Sequence, residues 1–399
     1  MRLLYISTFL FHQDNCKTYG LPANSDSFFQ KYLDVFDSVH VLGDAMYSYL
    51  DINSLTEMVD KRISVRLLPS NTHPLDFKND KHVRLILEDE ISKAEAIIIK
   101  PATRKGIMAI KIAKAYGKPY MIEMTGDIHN ALRQHPNMLK RLYAPILYRQ
   151  IKNAIKDAPF GLYVSQKYLQ SQFPIKGEMC GCSDVVLDFS DTEVLNRRFK
   201  LIDSIDTGRQ INLALIGFYQ GRMKGVDTAI RALSKLPNSY HLNILGNGTE
   251  ENRNRWYKYA IKHGISKPRE RMSFPQPLKS SEAVLNWLDT QDFFVLPTLS
   301  EGLPRSVVEA ISRGCICFAS NLCSLPELLQ KDCLFEKKDE MELANLILFF
   351  SSNKSLMLQN AKTNYEHAKE YMPNILKAQR NEFLNRFKAF AACQYHGEI

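Results

Sequence analysis

Two carboxylates separated by seven residues, Glu301 and Glu309, lie in the segment PTLSEGLPRSVVEAISRG, residues 297–314. An apolar run, Phe293–Pro297, precedes them. Pro304 suits the first turn of a helix, where a missing N–H costs nothing, and Gly314 suits the left-handed stop behind it. The segment therefore reads as strand, loop and helix. Glu301, Gly302 and Leu303 fall on the loop at the helix N-terminus, and Glu309 falls inside the helix. Free N–H groups and the helix dipole at such a terminus favour an anion, for which a nucleoside diphosphate is the candidate. Eight residues of helix rise about 12 Å, whereas a glycosidase holds its two carboxyl groups roughly 5–9.5 Å apart. The spacing speaks against an acid–base pair and for two grips on two hydroxyl-bearing parts of one ligand. Solvated acids on an amphipathic helix are the plain alternative.

A second segment, LALIGFYQGRMKGVDTAIRAL, residues 213–233, has a strand ending at Gly217. The loop behind it carries Gly221, Arg222, Lys224 and Gly225 into a helix. Lys and Arg so placed can clamp phosphate oxygens, although the pattern is neither a P-loop nor G-x-G-x-x-G. Taken alone, solvated cations explain it as well. Gly246-Asn247-Gly248 closes a third strand, His241–Leu245, and by itself is a turn. Together the three loops follow strands of one half of the chain, and open α/β sheets bind ligands beyond the carboxyl ends of their strands.

The elements that must position these loops alternate along the whole chain. Its 399 residues exceed one ordinary domain, and its 45% hydrophobic and 24% charged residues are those of a globular protein. Apolar runs at Arg2–Ser7, Ser38–Gly43, Ala96–Lys100, Pro119–Met124 and Phe160–Ser165 alternate with helical patterns, and a second series does so from Ile211 onward. This predicts an α/β class of two Rossmann-like doubly wound domains facing a central cleft. We expect an N-terminal domain over 1–190, a C-terminal domain over 205–372, and a last helix, 374–399, packing back on the first. The polar stretch Leu187–Ile211 is expected to be the linker.

Charge and cysteines narrow the setting. The net charge of +9 is concentrated between Ala96 and Lys156, where twelve Lys and Arg face only Glu123 and Asp127. Residues 134–156 contain no acid and carry Tyr143 and Tyr148 among their cations. That suits a peripheral helix on an anionic membrane surface, with a solvated basic face as the alternative. The chain lacks an RNA-binding aromatic signature or a zinc finger, so nucleic acid is not an expected partner. The eight cysteines form no C-x-x-C and read as buried, reduced thiols of a cytosolic protein. No run of 18 apolar residues is present, and the apolar N-terminus reads as a buried strand rather than a signal peptide.

Gly217…Lys224-Gly225, Ile244-Leu245-Gly246-Asn247-Gly248, Asp292–Pro297, Glu301-Gly302-Leu303-Pro304, Glu309-Ala310, Ala319-Ser320 and Leu325-Pro326-Glu327-Leu328 together resemble the glycosyltransferases of family 4, with their GT-B arrangement. The resemblance covers about residues 211–330. It implies that Glu301 contacts the donor sugar, that Glu309 holds the ribose, and that Lys224 binds the diphosphate with the amides near Gly302 and Leu303. It further implies retaining transfer without a bound metal or a cofactor beyond the nucleotide-sugar. The family usually carries a basic residue just after the strand glycine. Phe218 stands there instead, and Arg222 is the candidate second cation. Gly20 lies where the family often places a glycine near the donor phosphates, in the loop after the first strand. In Glu123–Asn130, Asp127 and His129 are both candidates for the residue near the sugar, and the choice is open. Tyr163-Val164-Ser165, Tyr168-Leu169-Gln170 and Gly181–Val185 resemble capsule and O-antigen assembly enzymes of the family. The implied function is transfer of a sugar from a nucleotide-sugar to a saccharide acceptor, lipid-linked, in bacterial surface polysaccharide biosynthesis. It would take place in the cytoplasm at the inner face of the plasma membrane. A transferase making a soluble sugar or sugar-phosphate, and a non-catalytic sugar-nucleotide binder, are the alternatives.

Overall fold

A computed structural model of the chain describes residues 1–14, 17–46, 55–69, 79–185, 187, 191–205, 208–278 and 280–395. The chain divides into two units, Met1–Cys182 with Lys377–Ile399, and Ser183–Leu376.

Unit 1 contains β1 (Arg2–Asp14), β2 (Lys17–Gly20), α1 (Asp26–Leu33), β3 (Ser38–Ala45), β4 (Thr56–Met58), β5 (Ile63–Leu68), α2 (Asp80–Lys93), β6 (Ala96–Ile99) and α3 (Arg104–Ala115). It continues with β7 (Tyr120–Met124), α4 (Ile128–Arg133), α5 (Met138–Ile155), β8 (Phe160–Tyr163), α6 (Tyr168–Gln172) and β9 (Glu178–Gly181). Strands β5, β3, β1, β6, β7, β8 and β9 pair in that order, all parallel. The winding reverses between β1 and β6, the kind of switch point where open α/β sheets bind ligands. Strand β6, Ala-Ile-Ile-Ile, is wholly buried, as a parallel strand covered on both faces should be. Thr103 caps α3 by accepting from the Gly106 amide at 3.2 Å.

Unit 2 begins with α7 (Val194–Asp203), β10 (Ile211–Ile216), α8 (Val226–Leu233), β11 (Tyr240–Leu245), α9 (Glu250–Lys262), α10 (Pro268–Arg271), β12 (Met272–Ser273) and α11 (Ser281–Leu288). There follow β13 (Phe293–Leu296), α12 (Arg305–Ser312), β14 (Ile316–Ser320), α13 (Leu325–Leu328), β15 (Leu334–Phe335), α14 (Glu340–Ser351) and α15 (Lys354–Ala368). The sheet runs β12-β11-β10-β13-β14-β15, again parallel throughout, with its switch between β10 and β13. Its helices are anchored by apolar faces such as Val307, Val308, Ala310 and Ile311 of α12. The final helix, α16 (Pro373–Tyr395), passes at Lys377 into unit 1. There Phe383, Phe387 and Phe390 stack their rings within 5.6 Å of Phe160.

Two local expectations change. The first strand runs on to Asp14 and turns back, so Phe11 pairs with Gly20 in an antiparallel hairpin. Gly20 is thus buried at a strand end rather than placed in a loop. The stretch expected as a linker holds α7, a helix of unit 2. Arg198 on it is 2% exposed and donates to the carbonyls of Arg313 at 3.0 Å and Leu288 at 2.9 Å. The charged residues there hide a core anchor, because a guanidinium can satisfy several carbonyls at once. Among the described residues the cysteines are free, and no helix is long and apolar enough to cross a membrane.

Candidate active site

The three glycine-bearing loops of unit 2 leave β10 and β13, the strands that flank the switch point, and β11, which pairs with β10. The first and third are tied together. The Leu299 amide donates to the Met223 carbonyl at 2.8 Å, and Thr298 Oγ1 donates to the same carbonyl at 3.0 Å. Gly225 has φ 73°, and a Cβ there would collide with the Pro297 carbonyl oxygen. Only glycine meets both demands at low cost. On this scaffold Lys224 Nζ donates to Glu301 Oε1 at 2.7 Å, with side chains 24% and 9% exposed. Residues 77 positions apart in sequence therefore form one charged pair at the carboxyl edge of the sheet.

Glycines close the space around this pair. A Cβ on Gly217 would meet the stem of Lys224, and one on Gly246 would meet the Gly217 carbonyl. Gly248 lies against the ring of Tyr219, whose hydroxyl donates to the Gly248 carbonyl at 3.1 Å. The Tyr219 carbonyl in turn accepts from Trp256 Nε1 at 2.7 Å. Tyr219 was not foreseen from sequence. The signal was an aromatic residue two places beyond a strand glycine, and it shapes both glycine turns.

Pro304 stands just before α12 as its cap, and no side chain caps that helix. The Gly302 carbonyl accepts from Ser324 Oγ, which fixes the loop holding Gly302 and Leu303. Glu309 lies one turn along the same helix as Arg305, which is 3.9 Å away. Burial raises the Glu309 carboxyl above the usual range, and Arg305 only partly offsets this. Arg222 is not drawn into the Lys224–Glu301 pair. Its side chain is 68% exposed, and its ionic contact is Asp227 at 3.8 Å. Phe218, at the position where a cation was expected, is 62% exposed.

In unit 1 the two candidates near β7 have partners of their own. Asp127 caps α4, accepting from the Asn130 amide at 3.0 Å and from Asn130 Nδ2 at 2.8 Å. It also accepts from the Tyr168 hydroxyl at 2.5 Å. His129 stacks on Tyr148 with ring centroids 4.6 Å apart, and desolvation lowers its pKa against the opposing pull of Asp127. Glu123, given no role from sequence, is 3% exposed. It accepts from the Tyr5 hydroxyl, from the Tyr32 hydroxyl at 2.8 Å and from Lys31 Nζ at 3.4 Å. Among the described residues, no group of three His, Cys, Asp or Glu side chains converges as a metal cage.

The paired loops, the half-buried Glu309 and the crowded glycines can hold a phosphorylated, hydroxyl-rich ligand. Residues 210–353, which contain all of them, match the family described as glycosyl transferases group 1. Unit 2 carries a glycosyltransferase group 1 domain. The chain is a glycosyltransferase, similar along nearly its whole length to Protein CapJ of Staphylococcus aureus. The two are 27% identical over 397 residues, which is 97% of this chain and 96% of that protein. The O-antigen biosynthesis glycosyltransferase WclY of Escherichia coli is 29% identical over 136 residues, a third of this chain (33%) and 35% of that protein. Among solved structures, HepE of Anabaena in complex with UDP and glucose superposes with a TM-score of 0.65 at 13% identity. That match covers 97% of this chain and 100% of HepE, and the shared fold is GT-B.

Proposed function

We propose that this chain is a retaining, metal-independent glycosyltransferase that moves a sugar from a nucleotide-sugar to a lipid-linked saccharide in bacterial surface polysaccharide assembly. The observation that carries the donor half of this reading is the Lys224–Glu301 pair, set at the switch point of unit 2. In the free chain the carboxylate holds the ammonium in place. When donor binds, the ammonium turns to the diphosphate and Glu301 takes sugar hydroxyls, while Glu309 takes the ribose from α12. Negative charge grows on the leaving β-phosphate oxygen as the glycosidic bond breaks. A preorganised ammonium and free amides at the α12 end stabilise that charge. The departing phosphate takes the acceptor hydroxyl's proton on the same face, so the configuration is retained and no enzymatic nucleophile is needed. HepE and WclY support the choice of donor and pathway by what their names record, UDP with glucose and O-antigen biosynthesis.

The acceptor half rests on α5. Its inner face is buried at Ala144, Leu147, Ile151 and Ala154. Met138, Leu139, Leu142 and Ile146 lie on the opposite face, each more than half exposed. Arg141, Arg149 and Lys152 flank them, and no acid lies between 134 and 156. An exposed apolar stripe among cations fits an anionic lipid surface. The test is a thermal-shift screen with nucleoside diphosphates and their sugars, followed by transfer to lipid-linked and lipid-free saccharides with and without anionic vesicles. At least one nucleotide should raise the melting temperature with the logarithm of its concentration, and the lipid-linked acceptor should be preferred. No shift with any nucleotide sinks the donor reading, and equal use of a soluble saccharide without vesicle binding sinks the acceptor reading.

A further inference from the structure

A cavity of about 250 Å³ opens in unit 1 beside its own switch point. Thr8 of β1, Asp44 of β3 and the segment from Ala102 to Lys105 after β6 form its sheet side, and α2, α4 and α5 form the rest. Its charged groups cancel in pairs. Lys105 bonds Asp44, both 12% exposed, and Arg104 bonds Asp80. Beyond those pairs, Val83, Met108, Ile128, Leu132 and Leu147 make most of the wall apolar, and Thr8, Thr103 and Tyr143 add hydroxyls. Lys140 adds one ammonium, 3.4 Å from His135 Nε2. The space exceeds the ~150 Å³ engineered apolar cavity that admits benzene.

A mostly apolar cavity whose acids are already paired, and whose Thr103 hydroxyl already accepts from the Gly106 amide, leaves few polar groups for a saccharide, which needs several that converge. It suits an aliphatic chain carrying a phosphate head. The helix that lines it through Lys140, Tyr143 and Leu147 is also the one whose outer face is the exposed apolar stripe. We infer that this cavity binds the head-proximal carbons of the acceptor's lipid, with its phosphate beside Lys140. The inference rests on the lipid-linked acceptor proposed above and adds the chemistry and the residues of its anchoring site.

The probe is geranyl phosphate, titrated below its aggregation limit into the full chain by calorimetry, with geraniol and inorganic phosphate as separate arms. Geranyl phosphate should bind at least tenfold more tightly than either arm. Met108→Trp, which fills the cavity from the half-exposed side of α3, should weaken geranyl phosphate and geraniol alike by at least tenfold. Lys140→Gln should weaken geranyl phosphate by about the same factor and leave geraniol unchanged. If Met108→Trp melts abnormally, Leu132→Phe replaces it. Unchanged geranyl phosphate binding in a well-folded filled variant overturns the assignment, as does inorganic phosphate binding as tightly as geranyl phosphate. Binding that the filled variant loses, in a chain that transfers to no lipid-linked acceptor, supports the cavity and sinks the acceptor reading alone.

Discussion

Glu123 of unit 1 and Glu309 of unit 2 are both withdrawn from solvent, and their surroundings move them in opposite directions. Burial by itself would raise Glu123. The ammonium groups of Lys31 and Lys100 and the hydroxyls of Tyr5 and Tyr32 outweigh it, and hold the carboxyl at about 2. Glu309 is raised by burial, with only Arg305 at 3.9 Å working against it. The first carboxylate is fully partnered and serves the fold. The second is left short of partners on a helix beside the glycine loops, and a group kept that way stores binding capacity for a ligand.

The largest expected effect falls on the partnered group. Glu123→Ala strands Lys31 and the two tyrosine hydroxyls inside unit 1 and should cost about 3–5 kcal/mol, read by denaturant unfolding. The pH dependence has a definite sign. A depressed folded pKa gives stability that is complete above the unfolded value near 4.5 and lost as pH falls through about 2. Wild-type unfolding free energy should therefore drop between about pH 4.5 and 2, and Glu123→Gln should flatten that drop. A variant that keeps wild-type stability would remove Glu123 from the fold and open it to a role at the site.

Lys224→Ala and Glu301→Ala should each lower kcat/KM for transfer by about 10²–10³-fold, the range seen when one stabilising donor is removed from an active site. Circular dichroism should stay unchanged. Each side chain belongs to a loop whose backbone is held independently by the Met223 and Gly225 contacts, so the fold does not depend on the pair. Turnover at the wild-type rate in either variant would break the assignment of chemistry to unit 2.

Glu309→Gln sharpens the contrast at a smaller scale. A raised folded pKa means stability present below the unfolded value and lost as pH rises through the folded one. Removing the ionisable group should therefore stabilise the ligand-free chain at neutral pH by ~0.5–2 kcal/mol. The same change should weaken nucleotide binding by roughly ten- to a hundredfold, the worth of a hydrogen bond to a charged group. Stabilisation without weaker binding would make Glu309 a poorly solvated acid with no ligand to hold.

The same contrast explains what the sequence revealed. Unit 2's loops are local: strand, glycine turn and helix lie within about twenty residues, and Pro304 and Gly314 punctuate the helix with Glu309 inside it. The pairing of Lys224 with Glu301 was expected only as two contributions to one ligand, since nothing in the spacing shows that the two loops bond through Met223. The Glu123 network was invisible because its partners Tyr32 and Tyr5 lie 91 and 118 residues away. Arg198 is hidden among the linker-like charges for the same reason, its acceptors at Leu288 and Arg313 lying 90 and 115 residues on. Asp127 could have been recognised as a cap, because Asp before a short helix with Asn three residues later is a local signal. Gly20 looks like a loop residue from sequence because a short strand and a hairpin share the same apolar start.

Asp127 and His129 carry the smallest expected effects and the most direct challenge to the division of labour between the units. Asn caps a helix about as well as Asp, so Asp127→Asn should cost under ~1 kcal/mol while keeping the bond from the Asn130 amide. If the carboxylate serves only α4 and Tyr168, transfer should stay within about threefold of wild type, and His129→Ala should do likewise. A general acid or base at this position would instead contribute roughly 10²–10⁴-fold, and its pH–rate profile would lose a limb with the substitution. A fall of that size at Asp127, with Asp127→Asn melting normally, would put a catalytic carboxylate in unit 1. A fall at His129 alone would show that the stack on Tyr148 holds an imidazole in place for chemistry rather than for packing.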